Sequence, residues 1–181
     1  MKCHNCSATA KYKFTDKRLC ARCFCKVVEK RLRKYLRLSK CITKGDKVYV
    51  DSDVCKYFID KIITFPITKV KVGKKGTTIK EITKKVDKMV IPWTLDHECM
   101  LFLDKFSGKG FDLKMLESDK KIVKLFLTID EASLIDFCKI NKIKYDKIKN
   151  NKVKNKIDKL VEKYPEIKYS LGKSIGVLKN I

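Results

Sequence analysis

No apolar run in this 181-residue chain approaches the roughly 18 residues that a membrane-crossing helix needs. The N-terminus, Met1-Lys2-Cys3-His4-Asn5-Cys6, carries no apolar signal region. Both absences set a membrane partner aside and predict a cytoplasmic protein. In a reducing compartment the nine cysteines point to metal ligands or free thiols, not to a disulfide framework. Internal repeats and low-complexity linkers are also missing. Wholesale disorder is excluded by a composition of 44% hydrophobic and 36% charged residues. The length fits one domain, or one domain with a small appendage, and a chain near this size buries roughly 70% of its unfolded surface.

Acid is scarce. Asp+Glu number 21 against 44 Lys+Arg, a net charge of +23, which favours a phosphate-bearing partner through counterion release. Arginine is missing outside one window: Arg18, Arg22, Arg31, Arg33 and Arg37 are all of it. Residues 1–45 hold 14 Lys+Arg and only two acids, Asp16 and Glu29, so half the net charge sits in a quarter of the chain.

The same region holds Cys3-x2-Cys6 and Cys20-x2-Cys23. Each pair makes a knuckle whose thiolates converge on one ion, and two knuckles close a tetrahedral zinc site. Such a closed shell holds a fold and leaves no open position for chemistry. His4 and Cys25 are the alternative ligands. Between the knuckles, Lys11-Tyr12-Lys13-Phe14 alternates as a ribbon strand does. From Phe24 to Leu38 the apolar spacing becomes helical, with Phe24, Val27, Val28, Leu32, Tyr35 and Leu36 on one face and Lys26, Lys30, Arg33, Lys34 and Arg37 mainly on the others. A basic helix of this kind suits a nucleic-acid backbone.

The remainder alternates. Strands are predicted at 47–50, 67–72, 88–93 and 122–129, and helices at 54–63, 78–86, 95–106, 128–140 and 151–164, the last stopped by Pro165. This order implies a parallel sheet with helices on both faces and a ligand site at the carboxyl ends of the strands. The turn around Gly73, Lys74, Lys75 and Gly76 is not a Walker loop; it reads as an RNA-phosphate contact or an ordinary basic turn. Trp93 reads as packing or as a base-stacking platform, His97 and Glu98 as acid/base candidates or plain first-turn polarity, and Cys99 as core.

A CxxC…CxxCF ribbon, a basic helix, and then Gly45-Asp46-Lys47-Val48-Tyr49-Val50 opening an α/β region resemble the tRNA 2-thiolation family. Leu95-Asp96-His97-Glu98 sits where that family has Leu-Asp-Asp-Glu, and Leu125 to Tyr145 resembles a later family segment. Its members are PP-loop ATP pyrophosphatases that adenylate a tRNA uridine and replace its oxygen with sulfur. The chain departs from them at the phosphate loop: Ser-Gly-Gly-Lys-Asp-Ser is replaced by Asp51-Ser52-Asp53, which lacks close-approaching amides and a cation. The family's mid-chain CxxC and later Cys-Pro are absent, and Cys41, Cys55, Cys99 and Cys138 are scattered.

The resemblance therefore implies an α/β protein: a zinc ribbon (1–25), a basic linker helix (26–44), and a degenerate Rossmann-like domain of the adenine nucleotide alpha hydrolase type (45–181). Zinc on Cys3, Cys6, Cys20 and Cys23 is expected; ATP and an iron–sulfur cluster are not. Arg18, Arg22, Lys30, Arg31, Arg33, Lys34, Arg37, Lys74 and Lys75 are the expected RNA contacts, and Asp51, Ser52, Asp53 and Asp96 mark the degenerate nucleotide site. The implied function is a tRNA-binding, non-catalytic or accessory subunit in uridine thiolation, as a homodimer or paired with an active thiolase. The rivals are an active ATP-dependent sulfurtransferase with a rebuilt ATP site and a zinc-ribbon adaptor that binds protein.

Overall fold

The computed structural model describes residues 1–70, 78–106, 119–149 and 152–178. The N-terminal ribbon is a hairpin of β1 (Tyr12–Phe14) and β2 (Lys17–Leu19), antiparallel, with Thr15 at φ 53° in its turn. Helix α1 (Ala21–Ser39) follows directly. Its buried residues Phe24, Val28, Leu32 and Leu36 recur every four positions, which gives one apolar ridge along 19 residues. Lys40 ends the helix in the left-handed conformation, its N–H returning to the Leu36 carbonyl. Gly45, at φ 89°, then turns the chain into the sheet, a conformation that glycine adopts without strain.

Four parallel strands form that sheet: β3 (Lys47–Val50), β4 (Thr68–Lys69), β5 (Lys88–Thr94) and β6 (Ile122–Phe126), in the order β4-β3-β5-β6. The crossovers are α2 (Asp53–Ile62), α3 (Ile79–Lys85) and α4 (Leu95–Phe106). Helices α5 (Glu131–Asn141), α6 (Lys152–Lys163) and α7 (Ile167–Leu178) complete the chain. The caps are supplied locally: Ser52 accepts from the Cys55 N–H, Asp130 from the Ser133 N–H, and Thr78 and Glu81 form a capping box.

The principal core runs without a break from the ribbon to the sheet. Phe14 and Leu19 meet Phe24 and Val28 of α1, which continue into Val48, Phe58, Val90, Leu125 and Phe137. Ile82, Val86 and Met89 form a smaller cluster between α3 and β5. A third joins α4 to the C-terminal helices through Leu95, Cys99 and Ile157. There α7 approaches closely because Gly172 has no side chain; a Cβ would lie 2.5 Å from Leu95 Cδ1.

The α/β expectation holds, with parallel strands and flanking helices. The details differ at four places. Strand β6 stops at Phe126, and α5 starts at Glu131 because Asp130 caps it. Strand β4 is confined to Thr68–Lys69 among the described residues. Pro92 stands inside β5, where the pairing register shifts between Ile91 and Thr94; a residue without N–H cannot continue the ladder. Helix α7 was not foreseen, because Pro165 reads as a stop when it only separates two helices.

Candidate metal centre and nucleic-acid interface

The hairpin and the first turn of α1 bring the two CxxC pairs together. The sulfurs of Cys3, Cys6, Cys20 and Cys23 all lie within 4.8 Å of one another. Cys6 Sγ is 3.7 Å from both Cys20 Sγ and Cys23 Sγ. Separations of this size suit tetrahedral ligation with metal–sulfur bonds of about 2.3 Å. Burial raises the Cys3 thiol, but N–H groups of Cys20, Asn5 and Cys6 and the Cys6 thiol more than offset it, and its pKa falls to about 6. Cys23, hydrogen-bonded first to Cys20 and then to Cys6, is pushed up to about 12. A bound metal would displace the thiol protons of the group. His4 is exposed and Cys25 receives a hydrogen bond from Asn141 Nδ2 at 3.5 Å; neither belongs to the four-sulfur group.

Beside this centre, the outer face of α1 is a stripe of exposed cations: Arg22, Lys26, Lys30, Lys34 and Arg37. Steps of four residues advance about 6 Å along a helix. Arg18 on β2 is exposed as well. Arg33 is exposed but lies 3.6 Å from Glu29, which also takes Lys61 at 2.7 Å. Arg31 differs from all of these. Half-buried, its guanidinium lies 5.2 Å from the Phe14 ring centroid and 4.8 Å from that of Tyr169, so it joins the ribbon, α1 and α7. Lys74 and Lys75 fall outside the described residues.

The carboxyl ends of β3 and β5 flank the point where the strand order reverses, the place at which open α/β sheets bind ligands. A cavity of about 400 Å³ opens there, lined by Asp51, Ser52, Asp53, Pro92, Lys144, Tyr145 and Asp146. Three carboxylates against one lysine make it acidic, and Ser52 spends its hydroxyl on capping α2. Asp96 is elsewhere. It is buried in the first turn of α4, 2.6 Å from Lys168 Nζ, and accepts the Glu131 N–H at 2.6 Å. Glu131 in turn accepts from Lys154 at 2.8 Å and from the Ile148 N–H. These ion pairs tie α6 and α7 to the starts of α4 and α5. Sequence reading missed Lys154 and Lys168, since no pattern marks two half-buried lysines in a chain with so many exposed ones.

Trp93 donates from Nε1 to Glu98 at 2.8 Å, and the same carboxylate takes Lys124 at 2.8 Å. His97 stacks on Trp93 with centroids 5.0 Å apart. Burial lowers the His97 pKa, which keeps the imidazole neutral at pH 7. Cys99 is fully buried, as a core thiol.

No protein-family model matches this chain, and no curated protein matches it. A solved structure does. The U34-tRNA thiolase NcsA from Methanococcus maripaludis, with its 4Fe–4S cluster, matches at a TM-score of 0.71 and 17% identity, over 100% of this chain and 88% of that one. The two chains share a fold. The match overturns one expectation, the exclusion of an iron–sulfur cluster: the similar structure contains one, and cysteine thiolates ligate such clusters as well as zinc. Here four cysteines form a group able to hold a metal. Among the described residues, no helix is long and apolar enough to cross a membrane.

Proposed function

We propose that this chain is a metal-containing RNA-binding protein that serves tRNA thiolation in an accessory role. The observation that carries the reading is the cationic stripe of α1, held against a four-cysteine centre on the fold of a tRNA thiolase. Cys3, Cys6, Cys20 and Cys23 would hold the metal, which would fix the ribbon and hence the start of α1. Arg18, Arg22, Lys26, Lys30, Lys34 and Arg37 then meet phosphates, with Arg33 shared between Glu29 and the RNA. The accessory role is supported by the cavity at the strand ends, where Asp51, Asp53 and Asp146 would oppose a phosphate chain. A chain of this kind acts beside a catalytic partner, which supplies the adenylation.

Replacing Arg22, Lys30 and Arg37 together with Ala should weaken tRNA binding and lower the slope of log K against log salt by about 2–3, because each lost phosphate contact removes about 0.7–0.9. An unchanged slope ends the RNA reading. Titration of ATP with magnesium tests the accessory role separately: tight binding would return the enzyme reading to first place. Metal analysis with visible absorption decides between zinc and an iron–sulfur centre.

A further inference from the structure

A second cavity lies against α4, lined by Trp93, His97, Met100, Leu101, Asp104 and Val153, with a volume of about 260 Å³. That is just below the roughly 300–1,000 Å³ of pockets for drug-sized ligands, and it suits one or two fused rings. One wall is built with unusual care. Glu98 and Lys124, 4% and 8% exposed, form a buried ion pair, and both contact Trp93: Glu98 Oε2 accepts its Nε1–H, and Lys124 Nζ lies 4.7 Å from its ring centroid. A buried ion pair stabilises little beyond what apolar packing would. Here its geometric result is a fixed indole, on which His97 stacks.

The polar groups at the cavity are free to serve a ligand. The Thr94 N–H donates to His97 Nδ1 at 3.1 Å, which leaves Nε2 as the protonated nitrogen. Among the described residues, Nε2 has no hydrogen-bond partner, and the Asp104 carboxylate has neither a hydrogen bond nor an ion pair. The site therefore combines aromatic and aliphatic walls with one donor and one acceptor. Among the described residues no lysine or arginine lines it, so these walls offer a phosphate no cation.

We infer that this cavity receives a single unstacked nucleobase from the bound RNA. Unpaired bases are read in this way, by stacking against side chains and by donor–acceptor pairing along an edge. Each of the four bases offers an adjacent donor and acceptor to such a pair. The inference rests on the RNA reading, and it adds a base contact to the phosphate contacts proposed for α1.

Trp93 is the only tryptophan, so its emission reports on this cavity alone. The full chain is titrated with oligouridylate and with an abasic sugar-phosphate chain of equal length, and binding is followed in parallel by anisotropy. Oligouridylate should change the emission and bind about tenfold more tightly; the abasic chain should bind without changing it. Equal responses, or no emission change at saturation, overturn the inference. If neither oligomer binds, the RNA reading fails, and free uridine and adenosine at millimolar concentration decide the cavity independently: a response supports the site and silence overturns it. Asp104→Ala, at an exposed position, should weaken the nucleoside response several-fold and leave the salt slope of oligomer binding unchanged. A changed slope with an intact nucleoside response would count against the site.

Discussion

The ribbon with α1 and the four-stranded sheet with its last helices use charge in opposite ways. In the first region the cations stand out in water along α1, and the four-cysteine group and aromatic rings pack behind them. In the second, Lys124, Lys154 and Lys168 turn inward and meet Glu98, Glu131 and Asp96, whose carboxylates are at most 5% exposed. An exposed charge contributes little to stability but binds phosphate; a buried one is costly unless its partner is present. The same residue type therefore stands free in one region and ties helices together in the other, which on the function proposed above separates RNA contact from architecture.

That contrast breaks most severely at the cysteines. Cys6→Ser should release the metal and unfold the ribbon, exposing Phe24 and Val28 of the shared core. Structural metal sites in zinc-finger peptides contribute about 10–16 kcal/mol, so the melting temperature should collapse together with metal content. A variant that melts as the parent does would mean that the ribbon stands without metal. Next in size is Lys168→Met, which leaves the buried Asp96 without its cation and should cost about 3–5 kcal/mol in denaturant unfolding. Burial lowers the Lys168 pKa, but the carboxylate of Asp96 outweighs it and holds the ammonium above its ordinary 10.5. The sign follows: with Asp96 ionised, the contribution is full below that value and is lost as pH rises through the folded pKa, so the parent and the variant should converge in alkali. A deficit that is constant to high pH would assign the loss to packing.

The two regions were also unequally legible in the sequence. Cys3, Cys6, Cys20 and Cys23 announce themselves by spacing, and the α1 ridge by its period, because both are local patterns. The parallel sheet follows from strand–helix alternation. Asp51, Ser52 and Asp53, which follow β3 directly, line the strand-end cavity. Asp96 was misjudged as its neighbour: its partners Lys168 and Glu131 come from distant segments, and α7 was hidden behind Pro165. Iron–sulfur was set aside because the family's own cluster motifs are missing, yet the ribbon offers four thiolates of its own. Long-range pairing in a lysine-rich chain leaves no mark on local pattern.

Arg31 and Lys30, neighbours on α1, give the finest division between the two uses of charge. Arg31 lies over the rings of Phe14 and Tyr169, and Tyr169 is itself anchored to Asp130 at 3.2 Å. Its cation–π contacts contribute about 0.5–1 kcal/mol each at half-exposed positions, and its methylene stem adds packing. Arg31→Ala should therefore cost about 1–2 kcal/mol of stability and barely move the salt dependence of RNA binding. Lys30→Ala should do the reverse, with stability changed by less than about 0.5 kcal/mol and the salt slope lowered by about 1. If Arg31→Ala moved the slope as far as Lys30→Ala does, its guanidinium would leave the rings for a phosphate on binding, and the line between the binding face and the architectural one would run through α1 one residue further in.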